Sequence, residues 1–388
     1  MSPLRVLHLI PGNLYGGVET FIALTARRRD LSPGLEHHYA ICFEGRLAEE
    51  LEATGVPVHR LGSIRASRPW TVLRGRRRLQ RLLSQNAYGV ALTHSSWPHA
   101  MFASVLEKAR VPAVFYLHGP INDVIWLDRW AGRHRPATLI AVSEDTSRTS
   151  RLLFDDVPTR ILNYPIPSAH FDQGPAVRKE VRAELGAAEG DVILLQASRA
   201  DRWKGHDRLF DALALLRDVP SWTLWLAGGA QRPKEQVFLS ELKAQAQRLG
   251  IAGRIRFLGE RRDVPRLLAG ADIYCQANVS GEGFSLVFME AFAAGRPIVT
   301  TRLGGAPELI DESSGVLVPA FDAPAFASAL RELVLNGERR AKLGENAQKR
   351  VWSVCDPARR LGDLQSILSD VALGSGGRAG APSAVSTG

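Results

Sequence analysis

The sequence predicts an α/β chain of two tandem domains, each a parallel sheet wrapped by helices. Three observations carry this. The chain has 388 residues, enough for two ordinary cores. It is 45% hydrophobic and 23% charged, the balance of a globular protein and not of a disordered or fibrous one. Short β-rich runs also alternate with longer amphipathic segments, pause at a proline-rich stretch, and then resume.

The first strand is expected over Arg5–Ile10, leading through YGGVET into a helix over Val18–Arg29. Further strands are read at His38–Phe43, Val56–Leu61, Val90–Thr93, Ala113–Leu117 and Thr138–Val142, with a helix at Ser143–Phe154. The stretch Leu162–Pro175 holds three prolines and no helical period, so a linker is placed at 167–175 between a first domain, 1–166, and a second, 176–352. In the second domain the strands are Val192–Ala197, Trp222–Ala227, Ile255–Leu258, Ile273–Gln276, Pro297–Thr300 and Gly315–Val318. Its helices are Lys204–Leu216, Glu235–Leu249, Leu286–Ala294, Pro324–Leu335 and Glu338–Val351. A last helical segment, Pro357–Val371 within 353–373, is expected to cross back to the first domain, and 374–388 has the composition of a disordered tail. Ligands of such sheets sit at the carboxyl ends of the strands, so the cleft between the domains is the expected site.

The net charge is +9, and it is uneven. Residues 1–166 hold 21 basic against 14 acidic side chains, and eight of the ten histidines. A basic half suits an anionic partner: phosphate groups, a membrane surface or nucleic acid. Cys42, Cys275 and Cys355 are far apart and odd in number, so neither a disulfide framework nor a CxxC metal knuckle can be built. A reduced, cytoplasmic chain is the expectation. The apolar runs are strand-sized, far below the roughly 20 residues of a membrane span, and the opening run is too short for a signal core. There is no GxxxxGK[ST], no GxGxxG after the first strand, no DxD pair and no HExxH, so no metal site is expected.

Two segments carry chemistry. In Gly281–Gly305, GEGFSLVFMEAFAAGRPIVTTRLGG, Glu282 lies in a glycine-flanked loop, and a helix begins near Ser285, which suits an N-cap. Glu290 follows eight positions after Glu282, and Leu286, Val287, Phe288, Ala291 and Phe292 are expected to anchor the helix in the core. A helix N-terminus accepts an anion, and two carboxylates accept hydrogen bonds from hydroxyls beside it. Such a site fits a nucleotide-diphosphate sugar; the plainer reading is a capped buried helix whose Glu290 pairs with a cation. In Ala197–Phe210, ASRADRWKGHDRLF, Arg199 and Lys204 stand in the loop after a strand, where two cations can grip a diphosphate. Arg202 and Arg208 read as solvated.

At these residues the chain resembles the family 4 retaining glycosyltransferases, which have the GT-B fold. EGFSLVFMEAFAAGRPIV is similar to the family's E-x7-E signature, SRADRWKGHDRLFDAL to its GR-x4-KG segment, and YGGVET to its glycine-glycine motif. FYLHG, IAVSEDT, LAGG, FLGERRDVPRLLAGADIY and GGAPELI follow in the family's order. The resemblance implies two Rossmann-like domains facing across a cleft. It also implies transfer of a sugar from a nucleotide-diphosphate sugar to a glycan, lipid-linked or small-molecule acceptor with retention, and no metal or other cofactor. It places Arg199 and Lys204 on the diphosphate, Glu282 on hydroxyls of the transferred sugar, Glu290 on the ribose, and His118 on the donor sugar. Gly16 and Gly17 would admit the diphosphate and acceptor to the backbone. Ser198, Gly228, Val264, Gly283, Phe284, Ser285 and Leu286 complete the implied donor site. The sequence departs from the family pattern at Asn163-Tyr164-Pro165-Ile166-Pro167 in place of NGVD, at Ala277-Asn278-Val279-Ser280 before the acidic loop, and at Ser285 within EGFS.

The segment Ile64–Gln85 interleaves seven arginines with Trp70, Leu73, Leu79, Leu82 and Leu83. It reads either as a domain helix with its arginines in water or as a peripheral contact with an anionic membrane at the inner face. Arg76, Arg77 and Arg78 are expected to face water in both readings. Nucleic-acid binding has no supporting motif. The alternatives to a transferase are a nucleotide-sugar epimerase or hydrolase of the same fold, and an inactive donor-binding subunit.

Overall fold

A computed structural model of the chain describes residues 2–166, 173–188, 190–230 and 232–376. They form two compact units: the chain up to Pro165 together with the helix from Pro357, and Ile166–Asp356.

The first unit contains β1 (Leu4–Ile10), α1 (Gly17–Arg27), β2 (Leu35–Ile41), α2 (Arg46–Ala53), β3 (Val58–Arg60), α3 (Pro69–Gln85), β4 (Val90–His94), α4 (Ser96–Lys108), β5 (Ala113–Leu117), α5 (Trp126–Ala131), β6 (Thr138–Ala141), α6 (Glu144–Ser150) and β7 (Thr159–Ile161). Its seven strands lie in the order β3-β2-β1-β4-β5-β6-β7, all parallel. The central strands are nearly continuous apolar runs because helices cover both faces of a parallel sheet. Val6, Leu7, Leu9, Ile10 and all of β4 are buried. The strand order reverses between β1 and β4, so the loop from β1 into α1 opens at a topological switch point.

The second unit contains α7 (Gly174–Glu184), β8 (Val192–Ala197), α8 (His206–Ala214), β9 (Trp222–Ala227), α9 (Pro233–Arg248), β10 (Ile255–Gly259), α10 (Val264–Gly270), β11 (Ile273–Gln276), α11 (Leu286–Ala293), β12 (Ile298–Thr301), α12 (Ala306–Leu309), β13 (Gly315–Val318), α13 (Ala323–Leu335) and α14 (Gly337–Cys355). Six parallel strands run β10-β9-β8-β11-β12-β13 and reverse at β8. Leu194, Phe210, Trp222, Leu224, Leu330 and Leu333 belong to one buried cluster on this sheet. The last helix, α15 (Pro357–Gly376), buries Leu361, Leu364 and Leu368 and accepts the Gly34 amide on the Gln365 side chain at 2.8 Å.

Several boundaries differ from the sequence reading. Strand β7 has three residues and no apolar run, which leaves an edge strand without a periodic signal. Helix α6 ends at Ser150 instead of Phe154, because Leu152 and Leu153 bond back only three residues, to Thr149 and Ser150. Lys204 lies in a single 3₁₀ turn, Arg202–Lys204, and not in the helix that follows. Helix α15 continues past Gly374 to Gly376; residues 377–388 of the expected tail, and 167–172 of the expected linker, lie outside the described residues.

Candidate active site

In the second unit, the loop after β8 is held by close backbone packing. Gly205 has φ 65°, and a Cβ there would stand 1.6 Å from the Ala277 carbonyl oxygen. Gly228 has φ 141°, and its Cβ would stand 1.8 Å from the Ser198 carbonyl. Only glycine fits either place. Ser198 Oγ lies 3.2 Å from His206 Nε2 and accepts from Gln196 Nε2 at 3.1 Å. Burial brings the His206 ring down to about 4.

The two loop cations are both ion-paired. Arg199 Nη1 donates to Glu235 Oε1 at 2.9 Å. Glu235 sits in the first turn of α9, 1% exposed, where its other oxygen accepts the Arg232 amide at 3.2 Å. Lys204 Nζ donates to Glu282 Oε1 at 2.6 Å and lies 4.0 Å above the Trp203 ring. Arg202, by contrast, pairs on the surface with Glu241, and Arg208 is half in water beside Asp207.

The second oxygen of Glu282 faces two buried amides. Asn278 Nδ2 donates to it at 3.3 Å and Gln276 Nε2 at 3.4 Å. Gln276 also donates to Asn278 Oδ1 at 2.7 Å and accepts from the Tyr274 hydroxyl at 2.9 Å. The sequence reading missed Tyr274, Gln276 and Asn278. Their signal is present: alternate positions along one strand point to one face, and here those positions are polar in an otherwise apolar run. The Gly305 amide fixes the loop by donating to the Glu282 carbonyl at 2.9 Å.

Helix α11 begins at Ser285, but Ser285 does not cap it with its side chain; its Oγ is buried without a partner. No backbone acceptor among the described residues takes the amides of Phe284, Ser285 or Leu286. Phe288, Met289, Ala291, Phe292 and Ala293 form the buried face. Leu286 and Val287 are only half-buried, contrary to expectation, because they start the helix at its open end. Glu290 forms no ion pair or side-chain hydrogen bond among the described residues, so the reading of a cation-paired Glu290 is not met. Burial pushes its carboxyl up to about 7. Gly283 and Phe284 are buried beside it, and Val264 starts α10 behind the Arg261–Asp263 pair.

In the first unit, Gly16 precedes α1 in extended backbone, φ −163°, with Gly17 as the first helical residue. A Cβ on Gly16 would meet only Glu19 Oε2, at 3.7 Å, so nothing inside the protein demands glycine there. His118, just after β5, is half-buried with both ring nitrogens engaged: Nδ1 lies 2.6 Å from the Tyr164 hydroxyl and Nε2 2.9 Å from His94 Nδ1. Tyr164 stands where the family pattern has glycine, and sequence reasoning gave it no role.

The basic segment forms α3. Val72, Gly75, Leu79 and Leu82 are buried, while Trp70 and Leu73 are exposed. The expectation that Arg76, Arg77 and Arg78 all face water fails for Arg76, which is partly buried and whose Nε donates to the Met101 carbonyl at 2.7 Å. Arg78 is exposed, although its Nη1 donates to the Leu61 carbonyl at 3.0 Å. Arg74, Arg77 and Arg81 are exposed as well. No helix among the described residues is long and apolar enough to cross a membrane.

Comparison with known proteins agrees with this architecture. Residues 177–350 match the family described as glycosyl transferases group 1, and residues 15–162 match glycosyltransferase family 4. The lipopolysaccharide core biosynthesis mannosyltransferase LpsB of Rhizobium meliloti is 32% identical over 54% of this chain and 60% of its own length. The phosphatidyl-myo-inositol mannosyltransferase of Mycobacterium leprae is 40% identical over 42% of this chain and 44% of its own. The chain thus spans about half the length of the curated relatives it matches. Anabaena Alr3699/HepE, solved in complex with UDP and glucose, superimposes with a TM-score of 0.82, covering 95% of this chain and 100% of that one at 24% identity. The two matched spans together take in most of the sequence, and the chain belongs to the group 1, family 4 glycosyltransferases and has the GT-B fold.

Proposed function

We propose that the chain transfers a sugar from a nucleotide-diphosphate sugar to a glycan, lipid-linked or small-molecule acceptor, with retention of anomeric configuration. One observation carries the reading: at the switch point of the second sheet, Lys204 and Glu282 form a pair beside open helix amides, with Arg199 close in sequence and, on the same helix, Glu290 without a partner among the described residues.

The diphosphate takes Lys204 and Arg199, together with the amides at the start of α11. Glu282, oriented by Gln276 and Asn278, accepts hydrogen bonds from hydroxyls of the transferred sugar. Glu290 accepts from the ribose. Ser198, Gly228, Val264, Gly283 and Phe284 shape the walls. In the reaction the bond between the anomeric carbon and the phosphate oxygen breaks, and its electron pair goes to the diphosphate. The acceptor oxygen bonds to the anomeric carbon on the same face, and its proton passes to the departing phosphate oxygen. Cations and amides fixed where that negative charge grows lower the barrier, and Arg199 and Lys204 supply this charge from the chain itself. The named relatives include a lipopolysaccharide core biosynthesis mannosyltransferase and a phosphatidyl-myo-inositol mannosyltransferase, which supports a lipid-linked or glycan acceptor. For such an acceptor the exposed Trp70, Leu73, Arg74, Arg77 and Arg81 of α3 supply a basic, partly apolar face for an anionic membrane.

The test is release of nucleoside diphosphate from a panel of UDP- and GDP-sugars, with and without glycan and lipid-linked acceptors. Turnover with one donor, lost in Lys204→Ala, is expected. Tight donor binding with no release from any donor would favour the inactive-subunit reading, and an isomerised donor sugar would favour the epimerase.

A further inference from the structure

His118 ends a continuous row of rings that crosses four strands of the first sheet. His118 Nε2 meets His94 Nδ1 at 2.9 Å, His94 Nε2 meets His8 Nδ1 at 3.0 Å, and His8 Nε2 meets His37 Nδ1 at 2.9 Å. Tyr164 closes one end, 2.6 Å from His118 Nδ1, and Ser32 Oγ the other, 3.3 Å from His37 Nε2. The rings follow the spacing of the strands that carry them, stacked with centroids 5.1 Å apart for His118–His94 and 5.3 Å for His94–His8, and tilted by 40° at 5.1 Å for His8–His37. Tyr39 and Tyr116 stack against the row, and Phe21 closes its Tyr164 end.

A neutral imidazole has one donor and one acceptor nitrogen. In a row where every ring uses both nitrogens on its neighbours, all bonds are satisfied only if every ring points its N–H the same way. One ring turned against the others sets N–H against N–H at one side and lone pair against lone pair at the other, a cost that burial makes severe. In a row so directed, an imidazolium sets its extra N–H against the N–H of one neighbour. No carboxylate among the described residues bonds any of the four rings, and His38 repels a charge on His8. The ends choose the direction. The Tyr164 phenol is the more acidic hydroxyl and makes the short bond, whereas the Ser32 contact is long, so Tyr164 donates and Ser32 accepts.

We propose that His94, His8 and His37 are positioning residues for His118: with Tyr164 they form one neutral hydrogen-bonded row in which all four imidazoles are Nε2–H tautomers, fixing the protonation and orientation of the histidine at the carboxyl end of β5. The catalytic meaning of that control rests on the function proposed above; the row itself does not. Because both nitrogens of His118 are occupied, a ligand reaches them only by displacing Tyr164 or His94. His118 therefore meets a sugar through its Nδ1 edge once Tyr164 has moved, or through ring contact alone.

The test is nitrogen-15 NMR of histidine-labelled full-length protein at pH 7, which separates Nδ1–H, Nε2–H and imidazolium forms. Four neutral Nε2–H signals are expected for His8, His37, His94 and His118. An Nδ1–H or charged form of any of the four overturns the proposal. In Tyr164→Phe, which leaves His118 held only by the row, it is expected to stay Nε2–H; with His94→Leu added, which keeps bulk but removes the remaining bond, it is expected to become a mixture of tautomers. A mixture in Tyr164→Phe, or a single Nε2–H signal in the double variant, means that His94 does not position it, and the wild-type spectrum decides the tautomers even where a variant fails to fold. No donor or turnover enters the measurement, so failure of sugar transfer would remove the proposed function and leave this result standing.

Discussion

Each sheet carries a polar array, and the two arrays are opposite in kind. In the first unit the array is neutral and closed: His8, His37, His94 and His118 bond one another, and burial lowers every ring below its ordinary value. In the second it is charged and partly open: Lys204 holds Glu282, Arg199 holds Glu235, and Glu290 has no partner among the described residues. A neutral closed row suits a wall that must not move or change charge. An ion pair beside an unpaired carboxylate suits a ligand that brings its own charge and hydroxyls, because binding replaces contacts already present.

The sharpest way to break this contrast is at the charged array. Lys204→Ala should cut turnover by roughly 10²–10³, the usual loss for one electrostatic donor at a developing charge. Near-normal kcat with the best donor would remove Lys204 from the diphosphate. Arg199→Ala should cost turnover and also stability, because Glu235 would keep its helix position without its cation. An unsatisfied buried group costs about 1–3 kcal/mol, and the amide of Arg232 retains part of the compensation. A denaturant midpoint equal to wild type would show that Arg199 is free to leave Glu235 at no cost.

Glu290 sharpens the comparison through pH. Its carboxyl stands at about 7 in the folded chain against an ordinary 4.5. Between those values the unfolded chain has lost the proton and the folded one keeps it, so this carboxyl's own contribution to stability falls as pH rises through that window, while the buried histidine rings act in the opposite sense. The fall should be on the order of 2 kcal/mol, allowing for the partly exposed position. It is read as the stability of wild type minus that of Glu290→Gln, in which the rings cancel. A difference equal at pH 5 and pH 7.5 would show that the carboxylate is solvated.

The smallest effects concern α3. Arg76→Ser and Arg78→Ser should each lower stability by about 1 kcal/mol, because each loses a side-chain hydrogen bond to a backbone carbonyl. Arg74, Arg77 and Arg81 changed together to Ser should leave the midpoint within about 0.5 kcal/mol. The same triple variant should release the protein from anionic vesicles at low salt, where exposed charges are least screened. Wild type that does not co-sediment with such vesicles at low salt would leave α3 a solvated domain helix.

How much of this was legible in the sequence differs between the two arrays. The charged one was read in outline, since Arg199, Lys204, Glu282 and Glu290 sit in spaced motifs whose types announce their chemistry. Its support was not: Gln276 and Asn278 lie at a strand end that reads as apolar, and Glu235 is thirty-six residues from the arginine it holds. The neutral array was invisible as a unit. His8, His37, His94 and His118 come from four separate strands, and only the strand order β2-β1-β4-β5 brings them side by side. The excess of histidines in the first 166 residues was the one hint. Tyr164 was passed over as a departure from pattern, yet it is the residue that terminates the row. The arginines of α3 show the converse: composition placed them in water, and for Arg76 only the neighbouring Met101 carbonyl decides otherwise.

The division of labour between the two glutamates tests the account most directly. Calorimetric titration of nucleoside diphosphate into wild type, Glu282→Ala and Glu290→Ala separates them. Glu290→Ala should weaken binding, because the ribose loses its acceptor. Glu282→Ala should bind as tightly as wild type or tighter, because Lys204 is released to the diphosphate, while sugar transfer is lost. Equal weakening in both variants, or weakening in Glu282→Ala alone, would contradict the assignment of the charged array.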